Sequence, residues 1–157
     1  GYMNGVSGTR FDPEGVLTRA MMVQILYNME GRPAAGSPAK FSDVTAGAWY
    51  ADAIAWASAH GIVTGYDNGA FGVNDYSTRE QMAAILYRYA EYKGKDVSGS
   101  AALDFADAGQ VSAYAQAPVK WAVSEGLLNG RTSTTLEPKG TATRAEVATI
   151  IERYCSR

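Results

Sequence analysis

The pair Thr-Arg occurs three times, at Thr18-Arg19, Thr78-Arg79 and Thr143-Arg144, each time ahead of a run with the apolar spacing of a helix face. Met22, Ile25, Leu26 and Met29 follow the first pair, and Met82, Ile85, Leu86 and Tyr89 the second. Val147, Ile150, Ile151 and Tyr154 follow the third. This is i, i+3, i+4, i+7 spacing in each copy. A glycine stands 17 residues before each Thr (Gly1, Gly61, Gly126), and another four residues after that (Gly5, Gly65, Gly130). Repetition constrains the fold more than any other feature, because a helix pair of this size cannot bury its stripe alone and must pack it against its copies.

A second helical segment precedes Gly61 and Gly126. Both versions carry Trp five residues before the glycine (Trp56, Trp121) and an aromatic twelve before it (Trp49, Tyr114). Further back, Phe41 and Phe105 align once one inserted residue is allowed. Each repeat reads as helix, glycine-marked turn, extended loop, Thr-capped helix, with Gly61 and Gly126 as left-handed helix ends. The loops hold one central apolar residue each, Phe71 and Leu136, with Phe11 at the equivalent place, expected to tuck onto the core. Residues 30–40 and 92–103 are rich in Gly, Pro, Ser and Ala and read as linkers. The chain opens mid-pattern, so residues 1–31 are expected to be the second half of a repeat, followed by repeats at 40–94 and 103–157, all in one domain. The expected fold is all-α: a helical bundle with pseudo-threefold arrangement and long loops between paired helices.

Composition removes several function classes. At 157 residues and 46% hydrophobic, the chain can bury one real core. A net charge of −2 with scattered Lys and Arg offers no face for nucleic acid, and no apolar run is long enough to span a bilayer. A single cysteine, Cys155, rules out an intrachain disulfide and a multi-cysteine metal site. With one histidine, His60, and no paired carboxylates, no catalytic or metal constellation emerges, so neither enzyme activity nor a cofactor is expected. "DNGAFGVND" lacks the alternating ligands and closing Glu of a calcium loop. Trp56 and Trp121 read as core or interface aromatics, Met21, Met22 and Met29 as core filling, Gln81 and Glu146 as capping partners, and His60 as a helix-end residue favoured by the dipole.

The arginines pose a problem. At the first helical position the dipole disfavours a cation by about 0.3–1 kcal/mol. Two structures would repay that. In one the site holds an anion, with helix-start N–H groups attracting it and the guanidinium pairing bidentately with a carboxylate at roughly 1.5–3 kcal/mol per charged bond. Alternatively each arginine is structural, pairing with an acidic residue such as Asp43 or Asp107 across a repeat interface.

The stretches from Phe41-Ser-Asp-Val44 through Arg88 and from Phe105 through Tyr154 resemble S-layer homology repeats. The signature Thr-Arg-Ala-Glu stands intact at Thr143–Glu146, and is varied to Thr-Arg-Glu-Gln at Thr78–Gln81 and Thr-Arg-Ala-Met at Thr18–Met21. The resemblance implies a noncovalent anchor at the bacterial cell surface. Such an anchor binds a secondary cell-wall polysaccharide, commonly through terminal pyruvylated N-acetylmannosamine, in grooves between repeats. By position it implies ligand contacts at Arg19, Arg79 and Arg144, at Gly5, Gly65 and Gly130, at Trp49, and at Ser42 with Asp43. Tyr114 replaces Trp and Ala106 replaces Ser in the last repeat, where Asp107 takes the acidic place. If each groove joins Thr-Arg of one repeat to the opening segment of the next, Arg19 meets Ser42 and Asp43, and Arg79 meets Asp107. The third groove would stay open, leaving an apolar surface that a second copy could cover as a homo-oligomer. The competing function is a protein–protein assembly module of a surface layer, to which exposed Trp and Tyr are equally suited.

Overall fold

The computed structural model describes residues 15–156. Phe11 and the expected contact Gly5 lie outside them. The described residues form five α-helices: α1 (Arg19–Met29), α2 (Ala51–Ala59), α3 (Arg79–Tyr92), α4 (Gln116–Ser124) and α5 (Arg144–Cys155). Two 3₁₀ turns, Ala108–Gln110 and Ala113–Ala115, lead into α4. The described residues contain no strand, so the chain is all-α with isolated β-bridges.

Local chemistry sets the helix ends. Thr18, Thr78 and Thr143 sit in extended backbone and each accepts the amide N–H three residues on. Gln81 and Glu146 return a bond to the cap backbone, completing the expected capping boxes, whereas α1 has Met21 there and no second half. At the other end Gly61 and Gly126 adopt φ +70° and +71°. The Ile62 and Leu127 amides donate back to Ala57 and Ala122, and the Gly61 and Gly126 amides to Ser58 and Val123. Both helices thus close in a Schellman motif, which only a residue at ease in the left-handed region permits cheaply.

The chain divides into two compact units, and the cut falls between Tyr76 and Ser77, inside a sequence repeat. The first unit, Leu17–Tyr76, holds α1 and α2. Its core is Met22, Leu26, Ile54, Trp56 and Phe71, with the Tyr27 and Trp56 rings 5.6 Å apart. Full burial of such side chains contributes about 1.5–3 kcal/mol each. The second unit comprises residues 77–156 together with Gly15 and Val16, and holds α3, α4 and α5. Met82, Leu86, Trp121, Leu127, Leu136 and Val147 form its core, with Tyr87 edge-on to Trp121 and Tyr89 against Tyr154. In both units a Thr-Arg helix packs with the leading helix of the following repeat, α1 with α2 and α3 with α4.

Candidate functional site

The arginines are held mainly by backbone carbonyls of the following repeat, with one acidic partner, Glu146, on Arg79. In the second unit the Arg79 Nε donates to the Leu136 carbonyl at 3.0 Å, its Nη2 to the Asn129 carbonyl at 2.5 Å, and its Nη1 pairs with Glu146. In the first unit the Arg19 Nε donates to the Phe71 carbonyl at 3.0 Å and its Nη2 to Thr64 at 3.2 Å. The Arg19 guanidinium also lies 4.9 Å from the Tyr66 ring centre and 4.8 Å from that of Phe71. Each arginine is therefore a clamp that leaves its helix and holds the loop of the next repeat. Both are buried, Arg79 to 4% exposure. Burial pushes the Arg79 guanidinium below its ordinary pKa, against the opposing charge of Glu146. Arg144 is also buried at the start of α5, with its amide donating to Gly15.

Asp43 and Asp107 do not form ion pairs with these arginines. They hold the other side of the same loop residues. Asp43 accepts the amides of Phe71, Gly72 and Val73 at 2.7–3.0 Å, and Asp107 those of Leu136 and Glu137 at 2.8 Å. The peptide groups linking Phe71 to Gly72 and Leu136 to Glu137 are thus gripped from both sides, the carbonyl by a guanidinium and the N–H by a carboxylate. Burial pushes Asp43 up, but the three amides outweigh it and hold the carboxyl below its ordinary range. For Asp107 the Leu136 amide is the main cause of the same downward shift.

The first-turn amides of α3 are also taken. Arg79 N–H donates to Gly140, Glu80 N–H to Pro138 and Gln81 N–H to the Thr78 hydroxyl. The expectation that free helix-start N–H groups attract the anion fails here, because carbonyls of the following loop already occupy them. Parallel bonds join Arg19 N–H to Asp75, and the bridges Thr18–Tyr76, Thr78–Thr141 and Val16–Thr143 repeat one pairing three times.

Gly65 and Gly130 owe their identity to close approach. A Cβ on Gly65 would lie 2.3 Å from the Phe41 ring, and on Gly130 2.4 Å from the Thr132 carbonyl and 2.5 Å from the Phe105 ring. Ser42 uses its amide to reach Gly69. Trp49 and Tyr114 are 59% and 52% exposed, the former edge-on to Tyr50. Trp56 and Trp121 are buried, in keeping with a core role.

The second unit contains a groove of about 390 Å³, within the size range of small-ligand sites. One wall is the turn from Leu127 to Arg131, including Gly130; the other is the α5 face formed by Glu146, Thr149, Ile150 and Arg153. Arg79 lies at its base. Glu146 spans two cations: one oxygen meets Arg79, the other accepts from Arg131 Nη2 at 2.6 Å. Burial raises the Glu146 pKa, but the Thr143 amide and the charges of Arg79 and Arg131 outweigh it and bring it below its ordinary value. Arg153 makes no ion pair or hydrogen bond among the described residues. Past Thr149 and Arg153 a second hollow of about 520 Å³ opens between Glu125, Glu152 and Ser156.

Sequence reasoning missed Arg131 and Arg153. The signal for Arg153 was present, since Glu146, Thr149, Ile150 and Arg153 follow i, i+3, i+4, i+7. Arg131 has no such signal, because the equivalent residue is Tyr66. Tyr66 covers Gly72 and donates to Asp75 at 2.8 Å, whereas Arg131 lies against Gly140 and pairs with Glu137 at 3.7 Å. The three positions change together.

Among the described residues no cluster of three metal-ligating side chains occurs, and no helix is long and apolar enough to cross a membrane.

The S-layer homology domain profile matches residues 40–83 and 104–148. The chain is 37% identical over 156 residues to an amylopullulanase of Thermoanaerobacterium thermosulfurigenes, an alignment covering 95% of this chain and 8% of that protein. It is 33% identical over 157 residues to the surface-layer 125 kDa protein of Lysinibacillus sphaericus, covering 98% of the chain and 13% of that protein. A cellulosome-anchoring protein of Acetivibrio thermocellus shows 27% identity over 161 residues, covering 99% of the chain and 36% of that protein. The chain thus spans a small part of the length of these relatives.

Proposed function

The chain belongs to the S-layer homology domain family, and from that premise we propose that it is a noncovalent anchor at the bacterial cell surface, binding an acidic secondary cell-wall polysaccharide. The observation that carries the reading is the groove of the second unit, lined by Arg79, Arg131 and Arg153 against one carboxylate, in a chain of net charge −2. A concentration of guanidinium groups in a concave site favours a planar anion such as a carboxylate, which arginine meets bidentately. Pyruvylated N-acetylmannosamine presents that group on a sugar. The adjoining hollow gives room for further sugars, which suits a polymer end.

Surface location is supported by the relatives named for surface-layer and cellulosome-anchoring roles. The amylopullulanase aligns over 8% of its length, so its name carries no activity to this chain. The module contributes attachment, and catalysis is no part of the proposal. Arg79, Asp107 and Gly130 shape the loop beside the groove of the second unit, and Arg19, Asp43 and Gly65 the equivalent loop of the first. Trp49 and Tyr114 offer exposed rings for a sugar face, and Arg144 and Gly5 are proposed contacts by family position. Co-sedimentation with purified Gram-positive walls tests the reading. Binding should vanish when the polymer is stripped or its pyruvyl groups are removed; equal binding to stripped walls would refute it.

A further inference from the structure

We propose that Glu146 is an internal competitor for the ligand of the second unit's groove, and that displacing its carboxylate sets how tightly that groove holds an anion. The inference rests on the anionic-ligand reading and names the residue that tunes it. Glu146 occupies the position an anionic ligand needs. It lies between the buried Arg79 and the partly exposed Arg131, accepting from both, and it lines the groove wall itself. Arg79 cannot turn elsewhere for the exchange, because its Nε and Nη2 are committed to the Leu136 and Asn129 carbonyls. Only Nη1 faces the carboxylate. Arg131 keeps the Thr141 carbonyl at 2.8 Å and Glu137 at 3.7 Å, so it too stays placed if Glu146 withdraws. Arg153, two turns further along the same α5 face, supplies a third cation to a ligand that has displaced Glu146.

The cap function of Glu146 does not require its charge. In α3 the same position is Gln81, which accepts the Thr78 amide at 3.0 Å through its side-chain oxygen and completes an equivalent box. Its counterpart in α5 is the Thr143 amide donating to Glu146 at 3.2 Å. The three repeats carry Met21, Gln81 and Glu146 here, so the carboxylate is a feature of the third repeat alone. A Glu146→Gln variant therefore keeps a cap that this chain already uses, while freeing two guanidinium groups and removing one negative charge from the groove.

The test titrates wild type, Glu146→Gln and Arg131→Gln with pyruvylated N-acetylmannosamine, following the arginine Nε–H and glutamate side-chain carboxyl NMR signals. Glu146→Gln should bind at least about tenfold tighter than wild type, a figure near the solvent-screened limit for removing one like charge at about 4 Å. Arg131→Gln should weaken binding relative to wild type. In wild type the Glu146 carboxyl signal should move at saturation along with the Arg131 signal, a readout that stands even if Glu146→Gln fails to fold. Ligand-induced shifts at Arg131 with unchanged affinity in Glu146→Gln, or with a stationary Glu146 carboxyl, would overturn the inference and leave the anchoring reading intact. Binding that shifts neither Arg79 nor Arg131 would also overturn it. No binding by either protein would overturn both.

Discussion

Replacing Gly130 with alanine should destabilise the second unit through packing, independently of any ligand. Gly130 does not need a left-handed backbone, so the argument is steric. The added Cβ would stand 2.4 Å from the Thr132 carbonyl oxygen, 2.5 Å from the Phe105 ring and 3.0 Å from the Thr135 carbonyl oxygen. Two of these three neighbours are backbone, and a carbon–oxygen contact needs close to an ångström more. The loop carrying Leu136 must then move, and with it the carbonyl that Arg79 holds. Overpacking of this kind costs about 1–3 kcal/mol, and rigid backbone neighbours put Gly130→Ala in the upper half, about 2–3 kcal/mol. For a chain of this size that lowers the melting temperature by about 4–12 °C. Thermal and urea melts followed by circular dichroism measure it, with Gly109→Ala as control. A Cβ on Gly109 would meet nothing within 4 Å, so that change should be neutral or stabilising by about 0.4–1 kcal/mol. Phe105→Leu should recover part of the Gly130→Ala loss in a double-mutant cycle, leaving the share due to the carbonyls. A Gly130→Ala protein that melts with wild type yet loses wall binding would refute the packing argument and make the glycine a ligand contact.

Other perturbations separate the remaining devices. Asp43, Asp107 and Glu146 all have pKa values below their ordinary range, so the unfolded chain binds more protons than the folded one between the two values. Their stabilisation should be complete above about pH 5 and decline as pH falls through about 4 and below; the double change Asp43→Asn and Asp107→Asn should flatten that slope in urea melts. Thr78→Ala and Thr143→Ala should each cost about 1 kcal/mol by loss of a cap, with Thr18→Ala at the low end because α1 lacks the reciprocal bond. Gly61→Ala should cost about 1 kcal/mol although nothing crowds its Cβ, because the strain lies in its φ of +70°; an unchanged melt would remove the Schellman account of that helix end.

The local devices were legible because each is written within a few residues. The Thr caps, the two capping boxes, the glycine helix ends and the burial of Phe71 and Leu136 all follow from short spacings. The partners of the arginines were not legible. Arg79 reaches a carbonyl 57 residues away and Asp107 an amide 29 away, and no spacing rule selects a backbone atom at such separations. The same gap explains the expected Arg–Asp pairs: the right residues were chosen, but they meet on opposite sides of one peptide group. The groove itself depends on Arg131, whose place in another repeat is held by tyrosine, so repetition hid it. Its role emerges only with the matching changes at Glu137 and Gly140.

Calorimetric titration with pyruvylated N-acetylmannosamine and with its depyruvylated twin tests the central claim most directly, because the two ligands differ only in the carboxylate the arginines would hold. The account predicts measurable heat for the pyruvylated sugar, little or none for its twin, and loss of affinity in Arg131→Gln. Equal affinity for both sugars, or none for either by the folded chain, would contradict it.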